Sequence, residues 1–377
     1  MNNQIPIHFL NVVRKFTVNS IFFLIPLHFL ELGFSGWQIG LIMAVYASAP
    51  LLFSFPTGWI NDRFTIQRVI QAGLILLILS LFLINWTHHY LAMAALFLLL
   101  GASNNALDIS TNNFFYKDQA AMDQNRKYGL ISFWLAVGMA FGTFTGGIIT
   151  HFADFQTLFL AYTVLLLVVL LFLRTASEEI PEKVHIKEYR SGLLNRKTIR
   201  FALLIFMVTL HWGAEGTVYS PFLKSRFGLN NLQTSLYISI PLFFMASAAF
   251  AFRLFRHNLE HNRRLFLLAM AMSGTGLVLM TVQNLYVSIG FRILHEVGDG
   301  LIGASVGVYI SRLFDRKSIG GSSGILTVFM TLGAMFGSLI FSTVGYRLGY
   351  HTAFIAAGVI LLLNTVYGWF IFRRESY

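Results

Sequence analysis

The chain contains no cysteine, which excludes disulfides, thiolate metal centres and cysteine nucleophiles. It is also poor in charge: Asp, Glu, Lys and Arg make up 11% of its 377 residues, against about 25% in soluble domains. Carboxylates are the scarcer sign, 16 against 27 lysines and arginines. No H-E-x-x-H and no phosphate-cradling glycine loop occurs. That counts against a metallohydrolase and a nucleotide-driven pump. The first apolar run has no basic segment before it and no A-x-A-like site after it, so Met1–Leu30 is expected as a retained span rather than a cleaved leader.

What fills the chain instead is apolar: 56% of residues, with a mean hydropathy of +0.67. This composition reads as an integral membrane protein with the lipid bilayer as its surroundings. Runs of spanning length recur at roughly 9–31, 36–57, 68–86, 90–113, 128–150, 155–173, 199–223, 231–252, 265–282, 285–312, 320–344 and 352–372. Without water to satisfy the backbone, runs this long and continuous are helices. Twenty-one basic residues fall in loops of one side and only Lys224, Arg226 and Arg347 on the other; Arg14, Lys15 and Arg292 complete the 27. The basic side is expected to be cytoplasmic and to carry both termini, as in a bacterial inner membrane. The same bias accounts for the net charge of +11 and pI near 9.9 without nucleic acid.

The only long polar connection is Arg174–Thr198. It divides the chain into an N-terminal six-helix bundle (1–173), a cytoplasmic linker (174–198) and a C-terminal bundle (199–377). The halves repeat at an offset of 195: Gly33-F-S-G-W-Gln38 recurs as Gly228-L-N-N-L-Gln233, Pro26 as Pro221, and Ala140-Phe-Gly142 as Met335-Phe-Gly337. The expected fold is all-α, with twelve transmembrane helices in two pseudo-symmetric bundles. Internal repeats of this kind are how secondary transporters place one site between two rocking bundles.

Ionisable residues inside the spans are concentrated on every third one. Span 1 carries Arg14 and Lys15, with Asn11 and Asn19 nearby on the wheel. Span 4 carries Asp108 on a stripe with Asn104, Asn105, Thr111 and Asn112. Span 7 carries His211 and Glu215 at i,i+4. Span 10 carries Phe291-R-I-L-H-E-V-G-D-Gly300, where Arg292, His295, Glu296 and Asp299 share an arc of roughly 100°. Counted from Leu285 they lie about 10 to 21 Å into the run, near the middle of a hydrocarbon core about 30 Å thick. Seven charges at about 3 kcal/mol each would cost roughly 20 kcal/mol if each faced lipid. They are expected to pair or to face one water-filled cavity on which the four helices converge.

At these residues the sequence resembles the major facilitator superfamily over essentially its whole length. Gly58-W-I-Asn61-Asp62-Arg63-F-Thr65-Ile66-Gln67-Arg68 is similar to the family's G-x-L-A-D-R-x-G-R-R loop, with Thr65 and Ile66 in place of the later glycine and arginine. The resemblance implies a latch on the cytoplasmic side, with Gly58, Asp62, Arg63 and Arg68 as gate residues. Gly129-x8-Gly138-x3-Gly142-Thr143-x2-Gly146-Gly147 resembles the antiporter motif, Thr143 standing where proline belongs. Glycine packing between close helices is the other reading of that stripe. Arg292-x2-His295-Glu296-x2-Asp299 resembles the basic-x2-His-x2-acid arrangement of sugar:proton symporters, with the last carboxylate one residue late.

The leading reading is a proton-coupled secondary transporter of a small polar solute, an anionic one being suited to Arg14 and Lys15 if they face the cavity, acting by alternating access as a monomer and without a cofactor. Glu215, Glu296 and Asp299 are the expected proton carriers, His211 and His295 the relays, and Arg292 the countercharge. Asp108, Asn104, Asn112, Asn19, Lys15 and Arg14 are the expected substrate contacts, with snorkelling an equal reading for Arg14 and Lys15. A proton-driven efflux antiporter is the alternative. A membrane-embedded enzyme is the remote one; the pairs His211/Glu215 and His295/Asp299 would hold a metal only if brought together.

Overall fold

A computed structural model describes residues 5–34, 36–117, 123–173, 196–255, 259–315 and 318–374. Among the described residues every regular element is an α-helix. They are α1 Ile5–Phe22, α2 Ile25–Glu31, α3 Gly36–Asn61, α4 Ile66–Ile84, α5 Tyr90–Lys117, α6 Gln124–Phe152 and α7 Phe155–Phe172. The second half supplies α8 Arg196–Phe227, α9 Asn231–Phe252, α10 Leu259–Leu279, α11 Leu285–Leu313, α12 Ile319–Leu348 and α13 Tyr350–Arg374. Ten of them are long and apolar enough to cross a membrane by length and composition. α1 with α2 and α10 complete the twelve spans.

The first span is not the continuous helix its apolar run suggests. It breaks at Phe23 and Leu24, just before Pro26, which has no N–H to give the Phe22 carbonyl one turn back. The equivalent Pro221 lies inside an unbroken α8. Most other helices overrun their apolar stretches by a turn or so, because polar end residues such as Lys117 and Gln124 continue the backbone ladder.

The repeat has a physical basis at two places. Gly33 and Gly228 both adopt positive φ, +80° and +65°, the left-handed conformation that closes a helix and that residues with a Cβ avoid. The Phe34 N–H bonds the Phe29 carbonyl across Gly33, and beyond Gly228 an Asn230/Gln233 capping box starts α9. In the same way a Cβ on Gly142 would strike the Phe16 backbone of α1, and one on Gly337 the Leu210 carbonyl of α8. Each glycine lets a later helix lie directly on the first long helix of its half. Close packing thus accounts for the Gly142–Gly146 stripe, since Gly146 meets Ser20 in the same manner.

The chain forms two compact units that interleave in sequence. Unit 1 holds 1–118, 141–192 and 314–331; unit 2 holds 119–140, 193–313 and 332–377. The crossings again follow glycines. Gly58 packs on the Gly320 backbone and Gly324 on Ser54, which draws the start of α12 into unit 1. Gly129 packs on Ala249 and Arg253, and Gly307 on the Tyr128 ring, which draws the start of α6 into unit 2. Positions 174–195 of the sequence-derived linker lie outside the described residues. Large exposed side chains such as Val164, Leu167, Leu171 and Phe172 of α7 form an apolar surface suited to lipid.

Candidate functional site

In unit 2, α8 and α11 bring together every ionisable residue that their sequences place in mid-span. Arg292 donates from one guanidinium nitrogen to Glu215 and from another to Glu296, and its guanidinium also lies 4.4 Å from the centre of the Tyr219 ring. His211 Nε2 stands 3.0 Å from Asp299 Oδ2. His295 Nε2 stands 2.9 Å from Glu215 Oε1 and 3.8 Å from Asp299 Oδ2. Arg292, His295, Glu296, Asp299 and His211 are buried, and Glu215 keeps 17% of its side-chain exposure.

Backbone carbonyls decide the tautomers. His211 Nδ1 faces the Val208 carbonyl, and His295 Nδ1 lies 3.0 Å from the Ser273 carbonyl. A carbonyl only accepts, so each Nδ1 carries the hydrogen and donates it. Each Nε2 faces a carboxylate, which also only accepts, so Nε2 donates when the ring is protonated and presents a lone pair when it is neutral. Ser273 of α10 completes the arrangement: its hydroxyl donates to Asp299 Oδ1 at 2.7 Å and lies 2.9 Å from His295 Nδ1. It reaches that far because Gly276 and Gly298 let α10 and α11 touch along their backbones; a Cβ on Gly276 would meet His295 N, and one on Gly298 the Ala269 carbonyl. Trp212 Nε1–H donates to Asp299 Oδ2 at 3.1 Å. The guanidinium serves Glu215 and Glu296 while Asp299 has only uncharged donors beside neutral imidazoles, so the cluster is then two positive charges short.

Unit 1 holds a second polar cluster between α1 and α5. Arg14, fully buried, donates to Asn104 Oδ1 at 2.8 Å and to Asp108 Oδ1 at 2.5 Å. Its burial rules out snorkelling. Lys15 Nζ stays 4.0 Å from Asp108 Oδ1 and keeps 25% of its side-chain exposure, with Asp108 at 35%. Tyr46 accepts from Asn104 at 3.3 Å. Two cations against one carboxylate leave this cluster with a net charge of +1. Asn19 spends its amide on the Lys15 carbonyl of its own helix, and half-buried Asn112 makes no bond to the cluster; neither joins the arrangement their wheel positions suggest.

At the end of α3, buried Asp62 accepts the Gly321 N–H of α12 at 2.9 Å through Oδ2, and its Oδ1 lies 2.7 Å from Lys117 Nζ. Lys117 also donates to the Asn61 carbonyl at 3.1 Å. Gly58 and Asp62 therefore sit at the α3–α12 contact. Arg63 and Arg68 are exposed, and Arg63 lies over the Trp59 ring at 4.2 Å. Ser273, Trp212, Tyr219 and Lys117 are the participants that sequence reasoning missed. For Ser273 a signal existed in the small-residue run Ser273-Gly-Thr-Gly276.

A family model described as Major Facilitator Superfamily matches residues 7–260 and 201–377. The crystal structure of the human organic anion transporter MFSD10 (TETRAN) is similar to this chain with a TM-score of 0.81, over 97% of this chain and 99% of that one, at 14% identity. At that identity the likeness is one of fold. No curated protein matches the sequence.

Proposed function

Because the chain belongs to the Major Facilitator Superfamily, whose members are membrane transporters, we propose that it is a proton-coupled secondary active transporter working by alternating access. The observation that carries this reading is the α8–α11 cluster, in which three carboxylates stand with a single guanidinium, bonded to two of them, and two imidazoles face carboxylates through Nε2. A proton on each imidazole closes the His211–Asp299 and His295–Glu215 contacts as charge-assisted bonds. Removing those protons restores the deficit, so occupancy and pairing change together. Glu296 keeps Arg292 partly neutralised throughout.

The solute is a small polar anion. Support comes from the net positive charge of the Arg14–Lys15–Asp108 group and the partial exposure of Lys15 and Asp108. That charge, rather than the likeness to MFSD10, carries the assignment. The glycine stripe of α6 is explained by packing on α1 and lends export no separate support. Both termini are assigned to the cytoplasmic side of an inner membrane, on the basic-residue bias. Cysteines introduced at Glu182 and Ser225 of this cysteine-free chain should label from opposite faces.

The coupling is tested in proteoliposomes holding a pH-sensitive dye, with acetate, lactate, succinate and citrate as probe anions. At least one should move protons with it. Glu215→Gln and Asp299→Asn should still exchange that anion across the membrane yet fail to accumulate it against a gradient. Accumulation equal to the parent in both variants would remove proton coupling from this cluster.

A further inference from the structure

We propose that His211, Glu215, His295 and Asp299 bind a divalent first-row transition-metal ion of the zinc class, in the place that two protons take in the coupling cycle. The role assigned to the ion rests on the coupling reading above; the binding stands on geometry. One donor atom from each of the four residues lies within 4.8 Å of all the others. Three of the separations are 2.9, 3.0 and 3.8 Å. Ligands at about 2.0–2.1 Å in a tetrahedron stand about 3.3 Å apart, so small side-chain rotations close the set around an ion.

The surroundings are those of a metal site. Both imidazoles give their Nδ1–H to backbone carbonyls, which fixes the tautomer and aims Nε2 inward. His295 Nε2 is fully buried and, despite its distance to Glu215, makes no hydrogen bond of proper geometry. Asp299 is oriented by Ser273 and Trp212. Gly276 holds the α10 backbone against His295 and limits how far the ring can turn away. Glu215, the partly exposed member, is the point of entry.

The donors select the ion. Two imidazole nitrogens and two carboxylate oxygens suit zinc, cobalt or manganese, whereas copper(I) prefers sulfur and calcium requires six to eight oxygens. Charge agrees: a divalent cation neutralises Glu215 and Asp299, leaving Arg292 paired with Glu296. Two protons would achieve the same neutrality, so ion and protons exclude each other.

The experiment uses the full chain in lipid nanodiscs, stripped with chelator and titrated calorimetrically with zinc chloride. One saturable site per chain is expected, with magnesium chloride giving none. Cobalt(II) chloride should develop the visible ligand-field bands of a four-coordinate N/O site in the parent protein, a readout that needs no variant. His211→Gln and His295→Gln should each weaken zinc binding at least about tenfold while leaving the metal-free melting temperature near that of the parent. Exposed His88→Gln and His89→Gln should leave binding unchanged. Absence of saturable zinc binding, or of cobalt bands, in the parent overturns the site, as does binding that follows His88 and His89. The two readings fail separately. No zinc binding with intact pH-driven uptake removes the metal and leaves the coupling; zinc binding beside pH-independent transport does the reverse.

Discussion

The Asp62 carboxylate accepts the backbone N–H of Gly321 at 2.9 Å, joining positions 259 apart in the chain. Gly321 lies in the first turn of α12, where unsatisfied amides and the helix dipole favour a negative charge. Lys117 holds the other carboxylate oxygen. Sequence resemblance implies Gly58, Asp62, Arg63 and Arg68 as gate residues; the geometry adds a lysine from the end of α5.

If this contact latches the start of α12, Asp62→Asn and Lys117→Met should each loosen it. A charge-assisted bond contributes about 1.5–3 kcal/mol, so the open form should rise at least about tenfold. The reporter is a single cysteine at buried Ser323, alkylated by an impermeant maleimide. The double variant should label no faster than the faster single, because both remove one interaction. Unchanged labelling in Asp62→Asn would end the latch assignment.

Glycines in the apolar helices should separate into two classes on substitution. An alanine at Gly337 would meet the Leu210 carbonyl and the α8 backbone, and overpacking of this kind costs about 1–3 kcal/mol. Gly303 faces open space, with nothing within 4 Å of a Cβ. Gly303→Ala should be neutral or slightly stabilising through helix propensity. Thermal unfolding in detergent distinguishes them; equal melting temperatures would mean that α8 and α12 do not pack as described.

Much of this architecture is legible in the sequence because it rests on length and charge alone. Spanning runs and the concentration of ionisable residues on every third span need no tertiary knowledge, and Gly33 and Gly228 mark helix ends through a local backbone requirement. What was not legible depends on neighbours distant in the chain. Ser273 and Trp212 look like ordinary members of apolar helices until α10 and α11 touch. Lys117 looks like one more loop cation. Asn19 looks available, but an amide on a helix can bond its own carbonyl four residues back. The interleaving of α6 and α12 between units follows from glycine contacts whose partners the sequence does not reveal.

Arg292 should behave as a buried charge held by two partners. Arg292→Met leaves Glu215 and Glu296 without their shared countercharge, and breaking a buried pair on one side costs about 3–5 kcal/mol. Adding Glu215→Gln and Glu296→Gln should restore much of the lost melting temperature, since it removes the orphaned charges. A triple variant as unstable as Arg292→Met alone would show that the arginine acts through packing on Tyr219 rather than through charge.

Arg14 offers the sharper test, because its two acceptors sit one turn apart on α5. Asn104 and Asp108 are bonded by different guanidinium nitrogens of the same side chain, a fork that lysine lacks. Arg14→Lys keeps the charge but can reach only one acceptor, so it should cost about 1 kcal/mol, the contribution of one hydrogen bond. Arg14→Met leaves Asp108 facing only Lys15, which stands 4.0 Å away, and should cost about 3 kcal/mol. Combining it with Asp108→Asn should recover more than half of that loss, because the remaining groups are then neutral or exposed. Melting temperatures of the parent, Arg14→Met, Asp108→Asn and the double variant, measured in one detergent, give the cycle directly. If Asp108→Asn shifts the melting temperature equally with and without Arg14→Met, the Arg14–Asp108 pair carries no coupling energy, and Lys15 alone supplies the positive charge proposed to meet the solute.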